Sequence, residues 1–154
     1  MRRHDIPTHR ITPDVVTSLL PHQRFVFGSN LQGIHGAAKQ RFGAVEGVCE
    51  GPTGQCYAIP TKLTPWQRLT VSTIGDAVDN FTTHAEANPH LHFLVTAVGC
   101  GLAGYTPQDI AGLFHDCIDL DNVSLPLCFW DLYCATCHSV IDLGYCACDE
   151  ENSC

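Results

Sequence analysis

Two glycine-rich stretches carry the residues whose types and spacing bear most directly on chemistry: Gly28-Ser29-Asn30-Leu31-Gln32-Gly33-Ile34-His35-Gly36 and Gly99-Cys100-Gly101-Leu102-Ala103-Gly104-Tyr105. Each follows an apolar run and leads into a stretch with helical character. Glycine admits positive φ and lets main-chain amides come close to a phosphate, and a helix start behind such a loop adds partial positive charge. A tight turn explains one such loop equally well, but two in one small chain point to a clamp for a diphosphate. Neither loop ends in Gly-Lys-Ser/Thr as a Walker A loop does, and neither matches the GxGxxG dinucleotide fingerprint well.

Lys62 is one of two lysines in the chain and follows Ile59-Pro60-Thr61 at the end of an apolar run. Its amine can contact a phosphate or attack an anomeric carbon, and a solvated loop lysine is the plain alternative. His35, inside the first glycine loop, is placed either to donate to a phosphate or to cap the helix that follows. His84, His90 and His92 surround a helix–strand turn without ligand spacing and read as surface residues. Cys100 lies between two glycines, but no base accompanies it in sequence, which argues against a catalytic thiol.

The chain has ten cysteines. Cys49, Cys56, Cys100 and Cys117 sit among apolar neighbours, where a free thiol acts as a small hydrophobe. Cys128, Cys134, Cys137, Cys146, Cys148 and Cys154 crowd into the last 27 residues. Tetrahedral zinc takes four soft ligands, commonly as two close pairs. Cys134-x-x-Cys137-His138 fits one pair, while Cys146-x-Cys148 is tighter than usual. Zinc at these four cysteines, an acidic tail of reduced thiols, and disulfides are the three readings, and the core itself needs no cofactor.

The elements that must position these groups follow from pattern. Residues 1–23 read as a leading segment that packs on the body, residues 24–127 as the domain, and 128–154 as a cysteine-rich acidic tail. Arg24–Phe27 reads as a strand ending at Gly28, with a short helix from Ala37 to Phe42 beyond the loop. Gly51–Gly54 reads as a turn and Cys56–Ile59 as a second strand stopped by Pro60. Between Ser72 and Ala87, the spacing of Ile74, Val78, Phe81 and Ala85 predicts one face of an amphipathic helix, closed by Asn88-Pro89. Leu91–Val98 is a third strand, Thr106 caps a helix that opens on Pro107, and Asn122–Leu125 is a last strand. Strands alternating with helices predict an α/β sheet with helices on both faces, its ligand off the carboxyl ends of the strands.

With 154 residues, 45% of them hydrophobic and 16% charged, the chain has room for one domain and a real core. All eight Lys and Arg fall at or before Arg68, against four acids there; twelve acids and no Lys or Arg follow from Leu69. The chain is thus about +4 and then −12, which leaves too few cations for the basic stripe that duplex nucleic acid requires. No run approaches a membrane span, and no apolar h-region follows Met1-Arg2-Arg3-His4-Asp5, so the expected location is cytoplasmic.

Four blocks carry a family resemblance: Phe25 to Gly36, Phe42-Gly43-Ala44, Gln55 to Lys62, and Phe93 to Tyr105. Together they resemble a macrodomain-like family of small bacterial and phage proteins, similar to the macrodomain branch containing the terminal ADP-ribose glycohydrolase and the DNA-ADP-ribose-removing antitoxin. The resemblance spans roughly residues 10–126, and Gly99-Cys100-Gly101-Leu102 is its most specific element. It implies a three-layer α/β/α macrodomain-like fold with ADP-ribose or a related nucleotide in the cleft. Gly28, Ser29, Asn30, His35 and Gly36 would form one wall of the ligand site and Gly99, Cys100, Gly101, Leu102, Gly104 and Tyr105 the other, with Thr61 and Lys62 beside them. In the hydrolase branch, a lysine matching Lys62 attacks the ribose anomeric carbon and an aspartate after the Gly-Cys-Gly-Leu block assists. This chain has Ala103 at the aspartate's place, and its segment from Gly36 to Phe42 is shorter than in relatives.

The expected function is capture of ADP-ribose or an NAD-derived signalling nucleotide, which in a phage would act as a sponge against a host immune signal. The alternatives are an ADP-ribosyl glycohydrolase using Lys62 and a zinc-stabilised protein-interaction module. The oligomeric state is not readable from the chain.

Overall fold

The computed structural model describes residues 6–33 and 35–134, and these form a mixed α/β fold around a seven-stranded, mainly parallel sheet. Its strands are β1 (Ile11–Thr12), β2 (Gln23–Asn30), β3 (Gly51–Thr53), β4 (Cys56–Thr64), β5 (Gln67–Arg68), β6 (His92–Val95) and β7 (Val123–Pro126). The helices are α1 (Gly36–Phe42), α2 (Val71–Ala87), α3 (Pro107–Ile110), which continues as a 3-10 helix over Ala111–Cys117, and α4 (Leu127–Trp130). The sheet runs β1-β7-β6-β2-β4-β3, with β5 also on β4. From β1 to β4 every pairing is parallel, while β3 and β5 run antiparallel to β4. The carboxyl ends of β2, β4 and β6 therefore share one edge.

Alternation along the strands sorts residues onto two faces. Val26, Tyr57, Ile59, Phe93, Val95, Val123 and Leu125 face the main core, where Ile74, Val78, Phe81 and Ala85 of α2 pack. All four of these α2 residues are fully buried, as their spacing predicts. The α2 start is capped by Thr70, whose hydroxyl accepts from the Thr73 amide at 3.2 Å. The other face carries Phe27, Cys56 and Ala58 under Ala38 and Phe42 of α1, with Val16 and Leu19 of the N-terminal segment against them. The two helical layers are unequal: one short helix and extended chain stand on the second face, where full helix cover was expected.

Several boundaries differ from the sequence expectation, each for a local reason. β2 continues through Gly28 to Asn30 because β4 pairs with it as far as Asn30 opposite Lys62, beyond the Val26–Val95 pair at which β6 leaves it. β4 runs through Pro60 to Thr64, and Pro60 pairs with Ser29 where the ladder is already interrupted. There a missing N–H costs little. Gly51–Thr53 is not a turn but edge strand β3, the turn falling at Gly54-Gln55. The third strand ends at Val95, three residues early, and the last strand is Val123–Pro126.

The body also runs past residue 127. Phe129, Trp130 and Tyr133 are all within 1% of complete burial in the main core, and the Tyr133 hydroxyl donates to the Ala111 carbonyl. At the far edge, buried Arg10 donates to the carbonyls of Val123 (2.7 Å), Cys117 (3.1 Å) and Ile118 (2.8 Å). Burial pulls its pKa down. Its own carbonyl accepts from the Trp130 indole at 2.8 Å. No helix among the described residues is long and apolar enough to cross a membrane.

Candidate functional site

The two glycine loops follow β2 and β6, neighbouring parallel strands, and so leave the sheet side by side. Between them and the end of β4 lie two adjoining cavities. The inner one, about 260 Å³, is bounded by Gly28, Thr61 and Lys62 on one side and by Gly99, Gly101 and Ala103 on the other. The outer one, about 400 Å³, lies between Asn30, His35 and Gly36 of the first loop and Pro65 of the β4–β5 turn. Gly28, Lys62 and Leu102 border both.

Lys62 owes its place to a bulge. Ser29 pairs with Pro60 but Asn30 with Lys62, so Thr61 is the extra residue that re-aims the end of β4. The Lys62 carbonyl accepts from the Leu31 amide at 2.9 Å, tying the strand end to the first loop. Lys62 is the single Lys, Arg, Asp or Glu among the described residues lining either cavity, in a chain whose net charge is −8.

The second loop supplies donors. The amides of Gly99, Gly101, Leu102 and Ala103 have no hydrogen-bond partner among the described residues, whereas those of Cys100, Gly104 and Tyr105 are bonded within the loop. Main-chain donors without an internal partner are satisfied by water or by a ligand. Gly99 needs its lack of a side chain twice over: φ is +77°, and a Cβ would come within 3.3 Å of Ile110. Gly28 is needed for close approach, since a Cβ there would meet the Thr61 side chain at 3.3 Å and the Gly99 amide nitrogen at 3.5 Å.

Several residues expected at the ligand do other work. Ser29 and Thr61 are buried; Ser29 donates to the Cys49 carbonyl and Thr61 to the Ser29 carbonyl at 3.1 Å. His35 borders the outer cavity but donates from Nε2 to the Val48 carbonyl at 2.6 Å, with its ring edge-on to Phe27 at 5.1 Å. A donating Nε2 leaves Nδ1 as an acceptor, and that atom has no partner. His35 thus commits Nε2 to the Val48 carbonyl and does not cap α1 through its side chain; it pins the loop before β3. Cys100 lines neither cavity and packs against the main core. Burial, then Cys128 and Asp109, push its thiol up to about 11, so it is protonated at neutral pH.

Gly104 and Tyr105 also stand outside the cavities and instead clamp the loop. The Tyr105 hydroxyl donates to the Leu69 carbonyl at 2.6 Å, and the Arg68 guanidinium lies 4.0 Å from the Tyr105 ring centroid. The β4–β5 hairpin is thereby fastened to the second glycine loop. Arg68, Pro65 and the lining residues Thr96 and Ala97 were not singled out in the sequence. Thr64-Pro65-Trp66-Gln67 is the turn signal that could have found the hairpin.

His92 is half-buried, not a surface residue. Ser124 gives its single proton to the His9 carbonyl at 2.6 Å, so the 2.6 Å contact with His92 is a donation from His92 Nε2. His92 and His22 border a larger cavity of about 460 Å³ at the amino ends of the strands, which has neither glycine turns nor a lysine. Of the proposed zinc ligands, Cys137, Cys146 and Cys148 lie outside the described residues and Cys134 is buried. Among the described residues, no cluster of three or more His, Cys, Asp or Glu could hold a metal ion. Comparison of the chain with family models, with curated proteins and with solved structures finds no match.

Proposed function

We propose that this chain binds ADP-ribose or a related NAD-derived nucleotide at the carboxyl edge of its sheet, in a macrodomain-like fold. The observation that carries this reading is the inner cavity: on one wall, residues whose four main-chain amides have no partner among the described residues, and on the other Lys62, the only charged side chain among the described lining residues. A diphosphate satisfies such donors and complements that charge. The motif resemblance of the same two loops supplies the nucleotide class.

Binding is favoured over hydrolysis by the composition of the site. Ala103 borders the inner cavity where the resembling hydrolases place an aspartate, and no carboxylate is among the described residues that line either cavity. With the Cys100 thiol protonated and turned away and His35 Nε2 given to the Val48 carbonyl, no Asp or Glu among the described lining residues stands beside Lys62 to serve as its acid or base. A binder of this kind would suit a phage sponge for an immune signal made from NAD.

Thermal denaturation tests the reading. ADP-ribose at 100 times its Kd should stabilise the protein by about 2.7 kcal/mol, raising the melting temperature by several degrees. No shift with ADP-ribose, NAD or cyclic ADP-ribose would refute it. Turnover of an ADP-ribosylated substrate that is lost in Lys62→Ala would instead establish the glycohydrolase.

A further inference from the structure

We propose that Trp66 is the stacking platform for the planar heterocyclic ring of the ligand, an assignment that rests on the nucleotide reading of the cleft. The chain has two tryptophans. Trp130 is 1% exposed in the main core, whereas Trp66 is 94% exposed at the tip of the β4–β5 turn. The neighbouring residue Pro65 walls the outer cavity. Leu102, which borders both cavities, is 93% exposed, and Leu31 and Leu63 of the same edge are also exposed. Leu31, Leu63, Trp66 and Leu102 thus leave apolar surface in water around the cleft, Trp66 and Leu102 being the most exposed large hydrophobic residues among the described ones, ahead of Val15, Leu20 and Val45 elsewhere.

The turn that presents Trp66 is held in place. Lys62 pairs with Arg68 and Thr64 with Gln67, and the Trp66 amide donates to the Thr64 hydroxyl at 3.3 Å. The Arg68–Tyr105 and Tyr105–Leu69 contacts fasten the hairpin to the second glycine loop. Because the turn's backbone is held, a ligand that covers the ring costs only the side chain's own rotamer freedom. A nucleotide anchored by its phosphates on the loop amides and Lys62 extends past Pro65 towards the mouth. Its flat heterocycle is the part with an apolar face to lay on an indole.

The two tryptophans make the test direct, because quenching of fluorescence by acrylamide reports Trp66 and spares buried Trp130. ADP-ribose should shield Trp66 from acrylamide, and ribose 5-phosphate, which has no base, should not. By calorimetry, Trp66→Ala should weaken ADP-ribose about tenfold and leave ribose 5-phosphate unchanged, with Trp66→Phe retaining most of the affinity. ADP-ribose binding equally well to wild type and Trp66→Ala, or leaving Trp66 open to acrylamide at saturation, overturns the stacking role while the cleft reading stands. Absence of calorimetric binding to the wild type overturns both.

Discussion

The Tyr105 hydroxyl donates to the Leu69 carbonyl at 2.6 Å and so joins two segments of the cleft that are 36 residues apart. Without it, the second glycine loop would be tied to the hairpin mainly through Arg68. Tyr105→Phe keeps the ring under Arg68 and removes only the hydroxyl. It should lower unfolding stability by about 0.5–1.5 kcal/mol in urea titrations and weaken ADP-ribose binding, because the loop amides lose a fixed relation to Lys62. Unchanged affinity in that variant would show that the latch serves the fold alone.

Lys62 is expected to act on the ligand and not on the fold. Lys62→Ala should weaken ADP-ribose at least about tenfold, the range for a charge-assisted contact to phosphate. Its urea midpoint should stay within the small range seen for substitutions away from packed features. Calorimetry and denaturation on the same preparation check both halves. A large loss of stability would move Lys62 from the site to the scaffold.

Two glycines of the second loop should behave differently. Gly99→Ala forces a side chain into φ +77° and against Ile110, at a cost of about 1–2 kcal/mol. Gly101 has no such conformation and a Cβ there would meet nothing within 4 Å, so Gly101→Ala should be nearly neutral in stability. Denaturation curves of the two variants decide it, and equal costs would mean that the loop geometry is wrong.

Acid should destabilise the fold through His92. Burial holds its pKa below the ordinary 6.5, with His9, His22 and Arg10 adding to the effect. The unfolded chain therefore takes up this proton first. Stability is complete above about pH 6.5, declines as pH falls through that value, and levels off below the depressed folded pKa. His84, also lowered by burial, has the same sign. His92→Gln, which retains an N–H for Ser124, should flatten the decline of the urea midpoint between pH 7.5 and pH 5.5; an unaltered slope would assign it to other groups.

Much of the sheet was legible because it depends on local pattern. The α2 face, the cap at Thr106 and the apolar runs of β2 and β6 are written in local sequence, and Asp109 accepts from both the amide and the hydroxyl of Thr106 at 2.9 Å. Placing both glycine loops on one edge followed from parallel strands. What spacing could not show was set by partners distant in sequence. Pro60 continues a strand because Ser29 lies opposite, and His35 turns to the Val48 carbonyl because the segment before β3 passes there. Phe129 and Trp130 lie in a stretch where charge and cysteine count dominate the pattern and signal a tail, yet the core claims them.

Strand β1 pairs with β7 alone, Ile11 lying opposite Leu125. As the polypeptide emerges from the ribosome, its first strand therefore has no place to dock until almost the whole described body has been made. The carbonyls that accept from Arg10 in the folded protein arrive equally late. Closure of that edge is a long-range event of the kind that slows folding, so a nascent chain carries β1 without its partner strand, and the Arg10 guanidinium in water, until β7 has been made.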